Sequence, residues 1–340
     1  MQKQFSRVSV HIVTWNSFVH LRTCFHALDE QTFTDYSIMV VDNASLDGTI
    51  KWLHEHYPTM PVLKNTRNLG FARAHNQAIL LTQSDYVLVM NPDIVLTPNW
   101  IEKAISWMDA HPEYGAIGGK TLRFTYSNDE LKEVQESGII DSTGLVMQRS
   151  RHTIDRGAGQ SDAGQFETGD DVFGLSGACA LFRRKALESI RYKDEYFDDQ
   201  FFAYKEDVDL AWRLQRRGWR ARYEPELVVF HHRHIKGIAA ASDALIAKNH
   251  RSRSAHMSYL SYRNHLLMLM KNERWGTYWR DGWWINWYEL KKFCFLLFMS
   301  PGALRAIPDA LRLTMTMKKK AAVIDHHATV SALEVRRAML

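Results

Sequence analysis

An α/β fold on a doubly wound, mostly parallel sheet, with a helical C-terminal extension, is predicted by three features of this sequence. Short β-branched runs alternate with segments of helical apolar spacing from residue 8 to residue 90. The composition then breaks near residue 231, where a basic, aromatic and helical pattern takes over. A length of 340 residues suits about two domains, or one large α/β domain with an appendage.

Residues 8–13 (VSVHIV) are a β-branched strand, and helix-compatible spacing follows over 18–28. Residues 36–41 (YSIMVV) form a second strand ending at Asp42. Asp47-Gly48-Thr49 opens a helix through Tyr57, with Pro58 and Pro61 punctuating its exit. A short strand over 61–65, a helix over 70–82 and a strand over 86–90 come next, the last stopping at Asn91-Pro92-Asp93. Ligands of such sheets sit beyond the carboxyl ends of the strands, where Asp42 and Asp93 both fall. Residues 120–171 are polar and Gly-rich and read as loops and short strands facing an acceptor. Residues 175–182 (LSGACALF) make a small-residue strand, and a helix over 206–217 is stopped by Gly218. Residues 225–230 form a strand ending at His231-His232, and helical patterning begins after residue 250.

Hydrophobic residues at 46% and charged residues at 24% exclude disordered, collagen-like and disulfide-scaffold classes. The strongest apolar run, residues 293–299, is far short of the ~18–20 residues of a spanning helix. No secretory signal is expected at the N-terminus, which runs directly into a strand. Cys24, Cys179 and Cys294 stand far apart, which suits a reducing cytosol and excludes a Cys-rich zinc site. The net charge of +5 is divided: residues 231–340 carry 18 Lys and Arg against 7 Asp and Glu, so the front is slightly acidic.

Three clusters carry candidate chemistry. Asn91-Pro92-Asp93 is good turn and cap chemistry, and it equally offers Asp93 to Mg²⁺ or Mn²⁺ beside substrate phosphates. Glu206-Asp207-Val208-Asp209 complements a helix N-terminus. Phe197, Phe201, Phe202 and Tyr204 just before it would also shield a carboxylate enough to make it a general base. His231 and His232 read either as loop residues or as metal ligands converging with Asp93.

The order of these segments carries more than any one of them. VHIVTWN (10–16), VVDNASLDGT (40–49), NLGFARAHN (68–76), VMNPD (89–93), SGACA (176–180) and FFAYKEDVDLAWRLQRRGW (201–219) occur as they do in family 2 glycosyltransferases. Over about residues 6–240 the chain most resembles the bacterial rhamnosyltransferase branch. That resemblance implies a GT-A fold of Rossmann-like character over residues 1–245 and inversion at the anomeric carbon of a nucleotide-sugar. It places Thr14, Trp15 and Asn16 beside the nucleotide, Asp42 on the base, and Asn43, Ser45 and Asp47 nearby. It places Gly70 where the backbone approaches the nucleotide, with Asn68, Arg73, Asn76 and Asn91 around the diphosphate or sugar. Asp93 matches the last carboxylate of the family's DxD motif, Asn91 replacing the first, and His231 or His232 matches its histidine ligand. Asp207 matches the base, with Gly177, Ala178, Glu206 and Trp212 on the acceptor side. Gly218 stands where polymerising relatives carry Arg, which implies transfer of one sugar or a few; a plain helix cap predicts the same residue.

The resemblance points to L-rhamnose from dTDP-rhamnose as donor, with UDP-galactofuranose or UDP-glucose as alternatives. The acceptor it implies is a polyprenyl-diphosphate-linked saccharide of O-antigen or cell-wall synthesis. A sugar nucleotidyltransferase would need a Gly-rich, basic first loop, which Val13-Thr14-Trp15-Asn16 is not. A silent glycan-binding module would not need Asp93, Asp207 and His231 together. In residues 246–340, Trp275, Trp279, Trp283 and Trp287 recur every four residues, with Trp284 and basic residues among them. Core packing is one reading. Docking on an anionic membrane, at the cytoplasmic face, is the expectation, strengthened by the 293–299 run and Lys318-Lys319-Lys320. No nucleic-acid motif accompanies the basic residues.

Overall fold

A computed structural model of the protein describes residues 5–126, 134–232 and 255–340. Arg233, His234 and the expected boundary at 245/246 lie outside the described residues. The elements follow in order: β1 (Val8–Thr14), α1 (Phe18–Asp29), β2 (Tyr36–Asp42), α2 (Thr49–His56), β3 (Val62–Lys64), α3 (Gly70–Leu81) and β4 (Tyr86–Met90). Then come β5 (Ile94–Leu96), α4 (Trp100–Ala110), β6 (Tyr114–Tyr126), β7 (Val134–Ser142), β8 (Leu145–Met147), β9 (Thr153–Asp155) and β10 (Asp170–Val172). β11 (Cys179–Arg183), α5 (Arg184–Ser189), α6 (Glu206–Arg216) and β12 (Arg220–His231) complete the sheet region. The C-terminal helices are α7 (Ala255–Asn272), α8 (Trp275–Met299), a 3₁₀ turn (Pro301–Arg305), α9 (Ala306–Arg312), α10 (Thr314–His327) and α11 (Ala332–Arg337).

The sheet runs β10-β12-β6-β11-β4-β1-β2-β3, with β5 on β12 and β7 on β6. The β4-β1-β2-β3 half is parallel, as alternation with helices demands. β11 runs antiparallel to both β4 and β6, so the whole sheet is mixed. Val8, Val10 and Ile12 pack on one face against Leu21, Phe25, Trp100 and Ile105. Val87, Val89, Ala180 and Phe182 cover the other face with Ile79, Leu210 and Leu214. Helices on both faces explain why the central strands are almost wholly apolar.

Three strands exceed the sequence expectation. The 120–171 stretch holds the long strand β6, which begins at Tyr114, and its antiparallel partner β7. The strand expected over 225–230 begins at Arg220 and is interrupted by a register shift between Glu224 and Val229. Pro225, which has no N–H to give a ladder, lies within that shift. Gly119 is required opposite it, since a Cβ there would lie 1.6 Å from the Leu227 carbonyl oxygen. Gly218, with φ +82°, ends α6 as the sequence implies.

The C-terminal helices share a core with α6: Leu267, Met268, Met317, Val335 and Met339 pack with Leu145, Phe173, Phe201, Val208 and Trp212. Buried ion pairs add to this contact. Lys271 bonds Asp198 at 2.5 Å and Asp209 at 2.8 Å, and Lys320 bonds Asp198 at 2.7 Å. Lys320 is thereby removed from the expected surface run, leaving Lys318 and Lys319 exposed. The tryptophan stripe does not enter the core: Trp275, Trp279 and Trp283 are 73%, 79% and 74% exposed. No described helix is long and apolar enough to cross a membrane.

Candidate active site

The carboxyl ends of β1 and β2 form the first wall. Asp42 is buried and accepts bonds from the Thr14 hydroxyl and the Ser45 N–H, each at 3.0 Å. Asn16, in the left-handed region at φ 52°, donates its N–H to the Ser45 hydroxyl and accepts from the Leu46 N–H, each at 2.8 Å. Asp47 accepts from the Phe18 N–H at 2.9 Å and from both the N–H and hydroxyl of Thr49, tying the starts of α1 and α2 together. Desolvation works against its charge, but the bonds from Thr49 and Phe18 prevail and hold its carboxyl below the ordinary value. Asn43 donates to the Gly70 carbonyl at 3.1 Å and accepts from Asn65. Trp15 stands 57% exposed at this rim, a ring face open to stacking.

At the start of α3, internal packing engages two of the expected residues. A Cβ on Gly70 (φ +82°) would lie 2.4 Å from the Phe202 carbonyl oxygen, so the protein's own loop closes the side of Gly70 on which a Cβ would stand. Asn76 is buried and engaged on both sides of its amide. It donates to the Phe197 carbonyl and to Asp199, and accepts from the Tyr196 and Phe197 N–H groups. It therefore latches α3 to residues 196–199 rather than facing a ligand. Arg73 pairs with Asp199 at 3.0 Å, and Asn68 accepts from the Gly70 N–H at 2.8 Å.

The second wall joins the turn after β4 to the end of β12. His231 Nε2 lies 3.4 Å from Asp93 Oδ2, and its Nδ1 bonds Asp141 Oδ2 at 2.9 Å. Asp141, on β7, also receives Arg123 Nε of β6 at 3.1 Å. Burial opposes charging of the imidazole, but the flanking Asp141 and Asp93 carboxylates outweigh it and push His231 up to about 9. Asp93 is desolvated, yet His231 holds its carboxyl below the usual range. Its other oxygen, Oδ1, is buried with no partner among the described residues. The His232 ring packs on His20 and Phe124, with centroids 5.1 and 5.5 Å away.

Among the described residues no three His, Cys, Asp or Glu side chains form a ready-made metal cage. A cation that keeps waters and substrate phosphates needs only one or two protein ligands. The spare Asp93 oxygen beside an imidazole oriented by a carboxylate fits that kind of site.

Main-chain bonds bring the third cluster to the same strand ends. The Asn91 N–H donates to the Ala178 carbonyl at 2.8 Å, and the Gly177 N–H donates to Asp207 Oδ2 at 3.2 Å. Residues 176–178 therefore bridge the Asp93 turn to the first turn of α6. Asp207 Oδ1 accepts its neighbour Val208 N–H, and the carboxylate is half-buried. Glu206 is buried beside it, and burial first, then the Asp207 charge, raise its carboxyl to about 8. Trp212, expected on the acceptor side, lies instead in the core between Phe173 and the Arg151 guanidinium. Its position in α6, one turn and more beyond Asp207, turns it inward. Sequence reasoning missed Asp141 and Arg123, whose only signal was alternation in a stretch read as loops and short strands.

A mixed sheet with helices on both faces and polar groups gathered at its strand ends matches the architecture of GT-A glycosyltransferases. Solved structures agree. The chain aligns with S. aureus TarS 1-349 in complex with UDP at TM-score 0.53 and 14% identity, covering 97% of this chain and 91% of that one. It aligns with GalNAc-T7 bound to UDP, GalNAc and Mn²⁺ at TM-score 0.57 and 14% identity, covering 79% and 48%. Residues 9–191 match glycosyl transferase family 2, and the chain belongs to that family. It is 29% identical over 259 residues to the N-acetylglucosaminyl-diphospho-decaprenol L-rhamnosyltransferase of Mycobacterium tuberculosis, spanning 71% of this chain and 80% of the relative. It is also 25% identical over 190 residues to the poly-beta-1,6-N-acetyl-D-glucosamine synthase of Staphylococcus aureus, spanning 55% and 40%. The chain is a family 2 glycosyltransferase of rhamnosyltransferase-like character.

Proposed function

We propose that this enzyme transfers L-rhamnose from dTDP-rhamnose, with inversion, to a polyprenyl-diphosphate-linked saccharide at the cytoplasmic membrane surface. The observation that carries the reading is the bridge through residues 177–178, which sets Asp207 at the strand ends that hold Asp93 and His231. Single displacement needs one base for the acceptor hydroxyl, and Asp207 is the half-buried carboxylate available for it. Asp93 and His231 would hold Mg²⁺ or Mn²⁺, with Asp141 fixing the imidazole. When bound, that cation offsets the charge that builds on the departing diphosphate. Trp15 offers its exposed ring to the nucleotide base beside buried Asp42.

The similarity to a lipid-linked-sugar rhamnosyltransferase supports both donor and acceptor. The exposed face of α8 supports the membrane location. Its only acids, Asp281 and Glu289, turn inward to Arg151, Arg336 and His265. Trp275, Trp279, Trp283 and Trp287 are left outside with Arg280 and Lys291. An apolar and cationic face of this kind suits anionic headgroups. Free thiols at Cys24, Cys179 and Cys294 suit the reducing side of the membrane.

The test is transfer to polyprenyl-diphosphate N-acetylglucosamine from dTDP-rhamnose, UDP-galactofuranose and UDP-glucose, each with and without Mn²⁺. Turnover with dTDP-rhamnose, lost at least 100-fold in Asp207→Asn, is expected. Preference for either UDP-sugar would reject the donor, and an active Asp207→Asn would reject the base.

A further inference from the structure

The segment just before Asp207 is held in an unfavourable shape. Phe202, Tyr204 and Lys205 have φ of 62°, 75° and 71°, in the left-handed region that L residues with bulky side chains avoid. Lys205 in that conformation is the N-cap of α6, so the backbone angle that aims the first turn is set here. Such a conformation persists only where its surroundings over-determine it.

The surroundings come from the C-terminal helices. Asn264 of α7 is fully buried, and its amide nitrogen lies 2.7, 2.8 and 2.8 Å from the carbonyl oxygens of Phe201, Ala203 and Tyr204. Arg263 donates to the Asn264 side-chain oxygen at 3.0 Å, which fixes which end of the amide faces the loop. The same guanidinium donates to the Gln200 carbonyl at 2.6 Å. The remaining carbonyl, of Phe202, points the other way and accepts from the Ala72 N–H at 3.3 Å, against Gly70. Every carbonyl from Gln200 to Tyr204 thus has a donor within reach on α7 or at the start of α3, with the two Asn264 amide hydrogens shared among three of them, and the Phe201 carbonyl also accepts the Ala203 N–H at 2.7 Å. About two turns further along α7, Lys271 and Asn272 grip Asp209.

We propose that α7 is a working part of the active site, with Asn264 a positioning residue that holds the 200–205 loop so that Asp207 faces the acceptor. This rests on the reading of Asp207 as the base. Residues 263–264 lie outside the 9–191 match to the family, so nothing in that match assigns them a part.

The experiment compares Asn264→Ala, Arg263→Ala and Asp207→Asn in the full-length enzyme. Its substrates are dTDP-rhamnose, Mn²⁺ and polyprenyl-diphosphate N-acetylglucosamine. Asn264→Ala is expected to lower kcat at least tenfold with the donor KM within twofold, at a temperature where melting shows it folded. Arg263→Ala, which removes the bond to the Gln200 carbonyl and a long one of 3.4 Å to the Phe201 carbonyl and loosens the amide, is expected to lower kcat by less. Amide hydrogen exchange at residues 201–209 is expected to speed up at least tenfold in Asn264→Ala while β1 and β4 stay protected. This second readout needs no substrate. Unchanged exchange, or a folded variant with wild-type kcat, overturns the proposal, as does a parallel rise in donor KM. If Asn264→Ala does not fold, Arg263→Ala carries the same two measurements. An Asp207→Asn enzyme of full activity would fell the base reading itself; an inactive one beside a fully active Asn264→Ala would fell only the inference about α7.

Discussion

Asp141 bonds the Nδ1 of His231 at 2.9 Å, which leaves Nε2 directed at Asp93. A carboxylate behind a ligating imidazole fixes its orientation and raises its basicity. Asp141→Asn is therefore expected to weaken Mn²⁺ activation by about 10- to 100-fold, the usual size of such a second partner's effect. Titration of activity against Mn²⁺ checks it, and an unchanged half-saturating concentration would separate Asp141 from the metal.

Gly70→Ala is expected to destabilise the fold by about 2 kcal/mol, since a left-handed φ alone costs a Cβ-bearing residue about 1–2 kcal/mol. The added contact with the Phe202 carbonyl makes the cost larger unless the loop moves. Urea unfolding measures this. A neutral result would mean that Phe202 gives way easily.

Glu206 supplies a pH signature. Its carboxyl is raised from 4.5 to about 8, so the folded state keeps a proton that the unfolded chain releases. Stability contributed through this group is therefore expected to fall as pH rises from about 4.5 to about 8. Glu206→Gln should flatten that slope in thermal melts taken across the window. An identical slope in the variant would assign it elsewhere.

The acidic limb has the opposite sign. Asp198 is buried, but Lys271 and Lys320 hold its carboxyl below the ordinary value of 3.8. Its contribution is fully present above about pH 4 and is lost as pH falls through the lower, folded-state value. Lys271→Met should cost about 3 kcal/mol at neutral pH, the low end for a broken buried pair. Asp198 keeps Lys320 and Asp209 keeps Arg213, which limits the loss. Equilibrium unfolding followed by tryptophan fluorescence tests both statements, and a loss below 1 kcal/mol would contradict them.

The α8 face predicts lipid selectivity. Reversing Arg280 and Lys291 to Glu should reduce binding to phosphatidylglycerol vesicles by tenfold or more, at about 1 kcal/mol per basic residue near the surface. Trp279→Ser with Trp283→Ser should reduce binding to neutral vesicles as well. Flotation with both lipids distinguishes the charge from the rings; equal flotation of all forms would exclude this face.

The parallel half of the sheet, with Asp42 and Asp93 at its strand ends, was legible because strand and helix periods are local properties of the chain. Asp93, Asp207 and His231 could be singled out in the sequence because their segments occur in a characteristic order. β6 and β7 were not, since Gly, Thr, Arg and Glu on a half-exposed antiparallel pair blur the alternation. Asn76 and Trp212 look like site residues in the sequence and are a latch and a core side chain in the fold. Lys320 looks like one of three surface lysines, and packing turns it inward to Asp198.

By itself, then, the sequence determined the α/β fold class and the family, and it singled out the carboxylates proposed to carry the chemistry. Tertiary structure alone decided that Asp141 stands behind His231, that Phe202 fills the space at Gly70, and that Asn264 holds the loop before Asp207. Those are contacts between residues tens to more than a hundred positions apart. Such contacts depend on how elements pack once formed, and local periodicity carries no record of that.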